Sequence, residues 1–126
     1  MLAAGFDAFE VIRLVARGCV DKVPGLFAAF MTTAHIAVEG REAITAAPSL
    51  PPGPAAIPAS LSMASAPVDE VISTLASLAA LVEDRLSRAA AAAALNADRA
   101  ACEEAARAAQ QIRQLMARGD DAAGLR

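Results

Sequence analysis

Residues 68–118 constrain the fold more than any other part of this sequence, because these 51 positions contain neither glycine nor proline. Six consecutive alanines occupy positions 89–94, and alanine has the highest helix propensity of all residues. Asp69 and Glu70 complement the positive N-terminal end of a helix, and Gly119 supplies a stop signal. The pattern therefore predicts one long alanine-rich helix over 68–118, followed by a frayed tail at 119–126.

Apolar residues in this stretch recur with a spacing typical of a coiled coil. Before the alanine run they alternate three and four positions apart, and after it they recur every seven, in a different heptad register. We expect this seam to form the interface of a homo-oligomer, a dimer or larger, through ten residues: Val71, Leu75, Leu78, Val82, Leu95, Cys102, Ala105, Ala109, Ile112 and Met116.

The length of the predicted helix is the reason to expect self-association. A 51-residue helix is about 76 Å long, whereas a compact domain of 126 residues has a radius of gyration of about 14 Å. A single chain of this size cannot cover such a seam, and an exposed apolar stripe is rare in soluble monomers. A different helical protein is the alternative partner. If the chain is instead monomeric, the helix has to bend back, and we expect the bend at Ser87 or Asn96.

Residues 1–46 predict an N-terminal helical hairpin. Polar residues recur every three or four positions from Asp7 to Arg17, which is typical of an amphipathic helix. Gly18 is a stop signal and Asp21 an N-cap, so we expect a break near 18–23 and a second helix over 24–45. One continuous helix kinked at Pro24 is the alternative. The fold-back would bring four aromatic side chains together: Phe6, Phe9, Phe27 and Phe30.

Residues 47–67 form a linker rich in proline, alanine and serine, with six of the seven prolines of the chain. No helix or central strand tolerates that density. The linker is long enough either to run back along a helix or to act as a loose tether. The predicted architecture is therefore all-α: an N-terminal hairpin, this linker and one long C-terminal helix, forming a single structural domain in an intermolecular helical bundle.

Charge and cysteine usage exclude several classes of function. Fourteen acidic residues outnumber eleven basic ones, so a nucleic-acid partner is not expected.

The two cysteines, Cys19 and Cys102, are 83 positions apart. Their positions predict buried thiols, with a long-range disulfide as the alternative. The longest apolar stretch, 23–38, is too short to span a membrane and there is no secretory signal pattern, so we expect a cytoplasmic protein.

His35 is the only histidine, and Glu39 and Glu42 follow it on one helical face. These three side chains could form a weak metal or general-base site, but the spacing of helical metalloproteases and di-iron bundles is missing. The sequence also contains no nucleophile elbow or phosphate-binding loop. We therefore expect no catalytic residue, metal or cofactor, and no enzymatic activity.

The segment Pro67-Val68-Asp69-Glu70-Val71, continued to Leu75, resembles the middle of mycobacterial PE proteins. The resemblance implies a helical hairpin that pairs with a helical partner and is exported by type VII secretion. This sequence contains no tyrosine, whereas the export signal of that family includes one.

Taken together, these patterns favour a non-enzymatic helical scaffold or adaptor that self-associates. One alternative is a small helical protein, or an enzyme subunit, that binds an apolar ligand with its Phe-rich hairpin beside Met31 and His35. The other is a helical hairpin partner similar to those of type VII secretion.

Overall fold

The computed structural model describes residues 2–22, 24–48 and 66–122, and every regular element in these ranges is helical. The elements are α1 (Leu2–Gly18), a single 3-10 turn (Pro24–Leu26), α2 (Phe27–Thr45), α3 (Val68–Ala92) and α4 (Asn96–Ala122). The all-α prediction is confirmed. The 47–67 linker falls mostly on residues 49–65, which lie outside the described part of the chain.

The break in the N-terminal hairpin is confirmed, because α1 ends at Gly18 and α2 begins at Phe27. The second helix starts three residues later than expected, since Pro24 opens a 3-10 turn before the α-helical hydrogen bonding begins. The start of the C-terminal region at Val68 is also as expected, with Asp69 and Glu70 in the first turn of α3.

The expectation of one continuous helix over 68–118 is wrong. The backbone of Ala93 is extended, at φ −68° and ψ 130°, and the chain reverses within the three residues between α3 and α4. Of the two positions expected for a bend, Asn96 is the correct one, because α4 begins there. The expected stop at Gly119 is also wrong: α4 continues to Ala122, since a helix tolerates an interior glycine at a cost of about 1 kcal/mol.

The four helices form an antiparallel bundle whose directions follow from the surroundings of Gly5. The Ile44 Cδ1 and Leu86 Cδ2 atoms each lie 3.3 Å from the position of an added Cβ at Gly5. The start of α1 therefore meets the ends of α2 and α3, so α1 and α4 run one way and α2 and α3 the other. It follows that Pro48 and Ala66, which flank the 49–65 segment, lie towards opposite ends of the bundle.

The core lies between the two hairpins, where α4 packs against both α2 and α3. Fully buried side chains from all four helices meet there, including Phe9, Ile12, Phe30, Ile44, Leu75, Leu86, Ile112 and Met116. The chain therefore builds its own hydrophobic core.

Eight of the ten residues expected at an oligomer interface are buried in this core: Val71, Leu75, Val82, Cys102, Ala105, Ala109, Ile112 and Met116. Leu78 is partly buried against the same core, and only Leu95 is exposed. The premise of an uncovered seam is thus wrong, because folding at residues 93–95 lets α3 and α4 cover each other and lets α1 and α2 cover the rest.

Gly40 allows α1 and α2 to approach closely. A Cβ atom at this position would lie 2.6 Å from the Cε1 and Cζ atoms of the Phe9 ring, which is itself completely buried. Only a residue without a side chain fits against a ring held in this way.

We predict that Gly40→Ala lowers the free energy of unfolding by about 1 to 3 kcal/mol through overpacking, partly offset by the better helix propensity of alanine. Gly18→Ala is the matched control, because no atom lies within 4 Å of its added Cβ. Urea denaturation followed by circular dichroism measures both values. Equal stabilities for the two variants would show that Phe9 moves aside freely.

Candidate interaction surfaces

Two large apolar side chains are exposed on successive turns of α2. Phe27 is 47% exposed and Met31 38% exposed, and the two lie four residues apart on one side of the helix. Met31 also lines a groove of about 190 Å³ between α1 and α2, whose other walls are Arg13, Arg17, Ala34, His35 and Val38. We call Phe27, Met31 and this groove the α1/α2 face.

The aromatic cluster expected within the hairpin is only half formed. Phe9 and Phe30 are buried in the core, while Phe6 is partly buried and Phe27 points outward. Phe27 begins α2 directly after the 3-10 turn, on the exposed side of the helix that Met31 and His35 also occupy.

Polar groups border the α1/α2 face. His35 Nε2 lies 2.9 Å from Glu39 Oε1, and both side chains are largely exposed, at 74% and 57%. Arg17, at the groove wall, has no ion-pair partner within residues 2–22, 24–48 and 66–122. Across the same residues no group of three potential metal ligands comes together. The His35–Glu39 pair is therefore a solvent-exposed contact along one turn of helix.

Glu10 is the most strongly engaged charged residue of the hairpin. Arg13 donates two hydrogen bonds to it, from Nε to Oε1 and from Nη2 to Oε2, each 3.0 Å long. Arg41 of α2 donates a third, from Nη1 to Oε1, and its guanidinium lies 5.8 Å from the centre of the Phe6 ring. Arg41 thus joins α2 to α1 through Glu10, with a cation–π contact to Phe6 beside it.

These contacts change the acidity of Glu10. The hydrogen bonds from Arg13, together with the charges of Arg13 and Arg41, hold the pKa of Glu10 below its ordinary value of 4.5, although partial burial acts in the opposite direction. The sequence shows the Glu10–Arg13 spacing, but the contribution of Arg41 depends on the register of the two helices, which the sequence does not display.

A second groove lies on the outside of α3 and α4. It encloses about 430 Å³, and its lining includes Ala90, Ala91 and Ala106. Beyond it, Arg113 donates two hydrogen bonds to Glu83, from Nε to Oε2 at 3.1 Å and from Nη2 to Oε1 at 3.2 Å. This partly exposed ion pair joins α4 to α3 in the register that the buried side chains also require.

The turn between α3 and α4 carries a contact that sequence analysis did not identify. Arg99, in the first turn of α4, donates from Nε to the Ala90 carbonyl oxygen at 3.4 Å and from Nη2 to the Ala93 carbonyl oxygen at 3.1 Å. Leu95, one of the expected interface residues, is 50% exposed on this turn. The available signal was the pair Asn96 and Asp98, since both residue types favour the start of a helix.

Cys19 and Cys102 are both buried and are not joined by a disulfide. Burial raises the pKa of each thiol. Lys22 acts against this rise at Cys19, while the charge of Asp98 adds to it at Cys102. Both side chains therefore pack as small apolar groups, as the sequence predicted.

Comparison with the models of protein families, with curated proteins and with solved structures found no match to this chain. Among the helices of the described residues, none combines the length and apolarity that crossing a bilayer requires.

We predict that Glu10→Gln lowers the free energy of unfolding by about 1 to 3 kcal/mol at neutral pH, because the charge-assisted hydrogen bonds from Arg13 and Arg41 weaken. Since the pKa of Glu10 is depressed on folding, its stabilising effect is complete above pH 4.5 and is lost as the pH falls through the lower folded-state value.

The stability difference between the parent protein and Glu10→Gln should therefore shrink on acidification below that pH. Chemical denaturation at a series of pH values measures it. Asp84→Asn is the control, because Asp84 pairs with Arg88 on the surface with both side chains more than half exposed. A difference for Glu10→Gln that stays constant down to strongly acidic pH would contradict the prediction.

Proposed function

We propose that this chain is a non-enzymatic helical adaptor that binds a helical protein through its α1/α2 face and also associates with itself. The observation that carries the proposal is the exposure of Phe27 and Met31, at 47% and 38%, on successive turns beside a groove. Folding gains nothing from leaving such side chains in water, whereas a partner that covers them gains apolar burial.

The shape of the face favours a helix as the bound element. The groove lies between two antiparallel helices, and apolar anchors four residues apart match the repeat of a helix laid in a groove. Arg17 has no ion-pair partner in the described part of the chain and lines the same groove, so an acidic residue on the partner helix would complement it.

The packing of the hairpin favours a protein partner over a small apolar ligand. Phe9 and Phe30 are buried to 1% exposure or less, and the Phe9 ring lies against Gly40. The aromatic side chains that could wall a ligand pocket are thus already used in the core. A cytoplasmic location remains a prediction from the sequence.

We predict that benzoylphenylalanine at position 27, photoactivated in cells that make this protein, forms a discrete covalent adduct with another polypeptide. The same probe at position 81 is the matched control, because Leu81 is similarly exposed, at 44%, on α3. Gel electrophoresis and mass spectrometry of the adduct identify the crosslinked helix.

The double variant Met31→Ser, Arg17→Gln, combined with the probe, should reduce the adduct at least about tenfold, which corresponds to a loss of about 1.4 kcal/mol of binding free energy. Its thermal midpoint should change little, since both side chains are exposed. Equal adducts from positions 27 and 81, or none from position 27, would count against the proposal.

A further inference from the structure

The turn between α3 and α4 is made of residues that prefer to be helical. Residues 93–95 are Ala, Ala and Leu, and they continue an alanine run that begins at position 89. Alanine and leucine are among the best helix formers, and neither glycine nor proline is present to specify a reversal. Local preference therefore favours a straight helix through the point where the chain turns.

Arg99 opposes this local preference. When a helix ends, its last carbonyl groups lose their intrahelical donors. The Arg99 guanidinium donates to the carbonyl group of Ala93, just beyond α3, and to that of Ala90, which also accepts the Ala93 N–H at 3.3 Å. It is itself exposed and reaches back from α4, so it contributes to the turn only while α4 is folded onto α3 of the same chain.

The contacts between α3 and α4 do not depend on the two helices belonging to one chain. The buried side chains of α4, such as Ala105, Ala109 and Ile112, and the Arg113–Glu83 ion pair would form equally well with α3 of a second copy. The arrangement within one chain and the arrangement between two chains therefore differ in free energy mainly through the turn. Protein concentration then shifts the equilibrium between them, which is the condition under which a helix is exchanged between identical chains.

We propose that two copies of this chain exchange α4. In the exchanged dimer residues 93–95 become helical, α3 and α4 join into one helix of about 55 residues and roughly 80 Å, and each α4 packs in the core of its partner. This proposal deepens the self-association in the proposed function by naming the partner, a second copy, and the exchanged element. The α1/α2 face stays outside the exchange and remains open to a different protein.

Substitutions at the turn distinguish the monomer, in which the chain reverses, from the exchanged dimer, in which it continues as a helix. Ala94→Pro is compatible with the reversal, because Ala93 already has the φ and ψ that a residue before proline prefers. The same proline would break the continuous helix, so it should weaken dimerisation at least about a hundredfold. Ala94→Gly, which disfavours the helix more gently, should act in the same direction and serves as the second variant if the proline variant folds poorly.

Arg99→Gln should shift the equilibrium from the monomer towards the exchanged dimer. It removes the guanidinium donors to the Ala90 and Ala93 carbonyl groups, so the dimer fraction should rise by about tenfold at equal concentration. Arg107→Gln is the matched control, because Arg107 is exposed further along the same groove and makes no ion pair within the described ranges. Light scattering coupled to size exclusion, after refolding at low and at high concentration, distinguishes the 12.8 kDa chain from a species of twice that mass.

A mixing experiment tests the exchange itself. Glu83→Arg and Arg113→Glu each place like charges across α3 and α4 within one chain. In an exchanged heterodimer of the two variants, each α3 meets an oppositely charged residue on the partner's α4. Native mass spectrometry of the co-refolded variants should therefore show heterodimers well above the statistical proportion.

The outcomes separate this proposal from the broader one. If the parent protein dimerises and Ala94→Pro and Ala94→Gly dimerise equally well, the exchange is wrong and self-association uses another surface. If the parent protein and Arg99→Gln both stay monomeric after refolding at high concentration, self-association and exchange are both overturned. A statistical mixture in the charge experiment overturns the exchange alone.

Discussion

The packing of α4 against α2 and α3 is the contact on which the rest of this structure depends. Without it, the buried faces of α2 and α3 would be left open, and the side chains of Leu75, Leu86 and Ile112 would lose their surroundings. Much of this contact is made by alanine, and each methyl group contributes only about 1 kcal/mol on burial. The contact is therefore strong because it is long, with α3 and α4 of 25 and 27 residues.

The sequence was sufficient to predict the buried faces but not the partner of each face. Eight seam residues are buried, within the chain rather than between chains as expected, because helical periodicity determines which side of a helix is apolar. What covers that side depends on whether the chain reverses, and the reversal at residues 93–95 is decided by tertiary contacts. Burial of the seam, the Arg113–Glu83 pair and the Arg99 cap together outweigh three residues of helix propensity. None of these three tertiary contacts can be predicted from the few residues around the turn.

The α1/α2 face shows the same division between pattern and tertiary structure. Phe27 and Phe30 are only three residues apart and belong to one helix, yet Phe30 is buried and Phe27 is about half exposed. The difference depends on which side of α2 the bundle covers: Phe27 shares the exposed side with Met31 and His35, whereas Phe30 shares the buried side with Ala34 and Ala37. Likewise, Glu10 and Arg13 are paired by their spacing, but Arg41 reaches Glu10 only in the observed register, which Gly40 permits by allowing Phe9 to lie against α2.

The proposed exchange of α4 depends on how α3 and α4 pack against each other. The buried side of α4 is rich in alanine, with Ala101, Ala105, Ala108 and Ala109, and a second copy can reproduce such shallow contacts without change. The turn contains neither glycine nor proline. Its hydrogen bonds are two from the exposed Arg99 side chain and two from the backbone, Ala93 N–H to the Ala90 carbonyl and Arg99 N–H to the Leu95 carbonyl. In the exchange that we propose, the hairpin and the straight helix are two uses of one apolar seam, and the concentration of the chain becomes part of what selects between them.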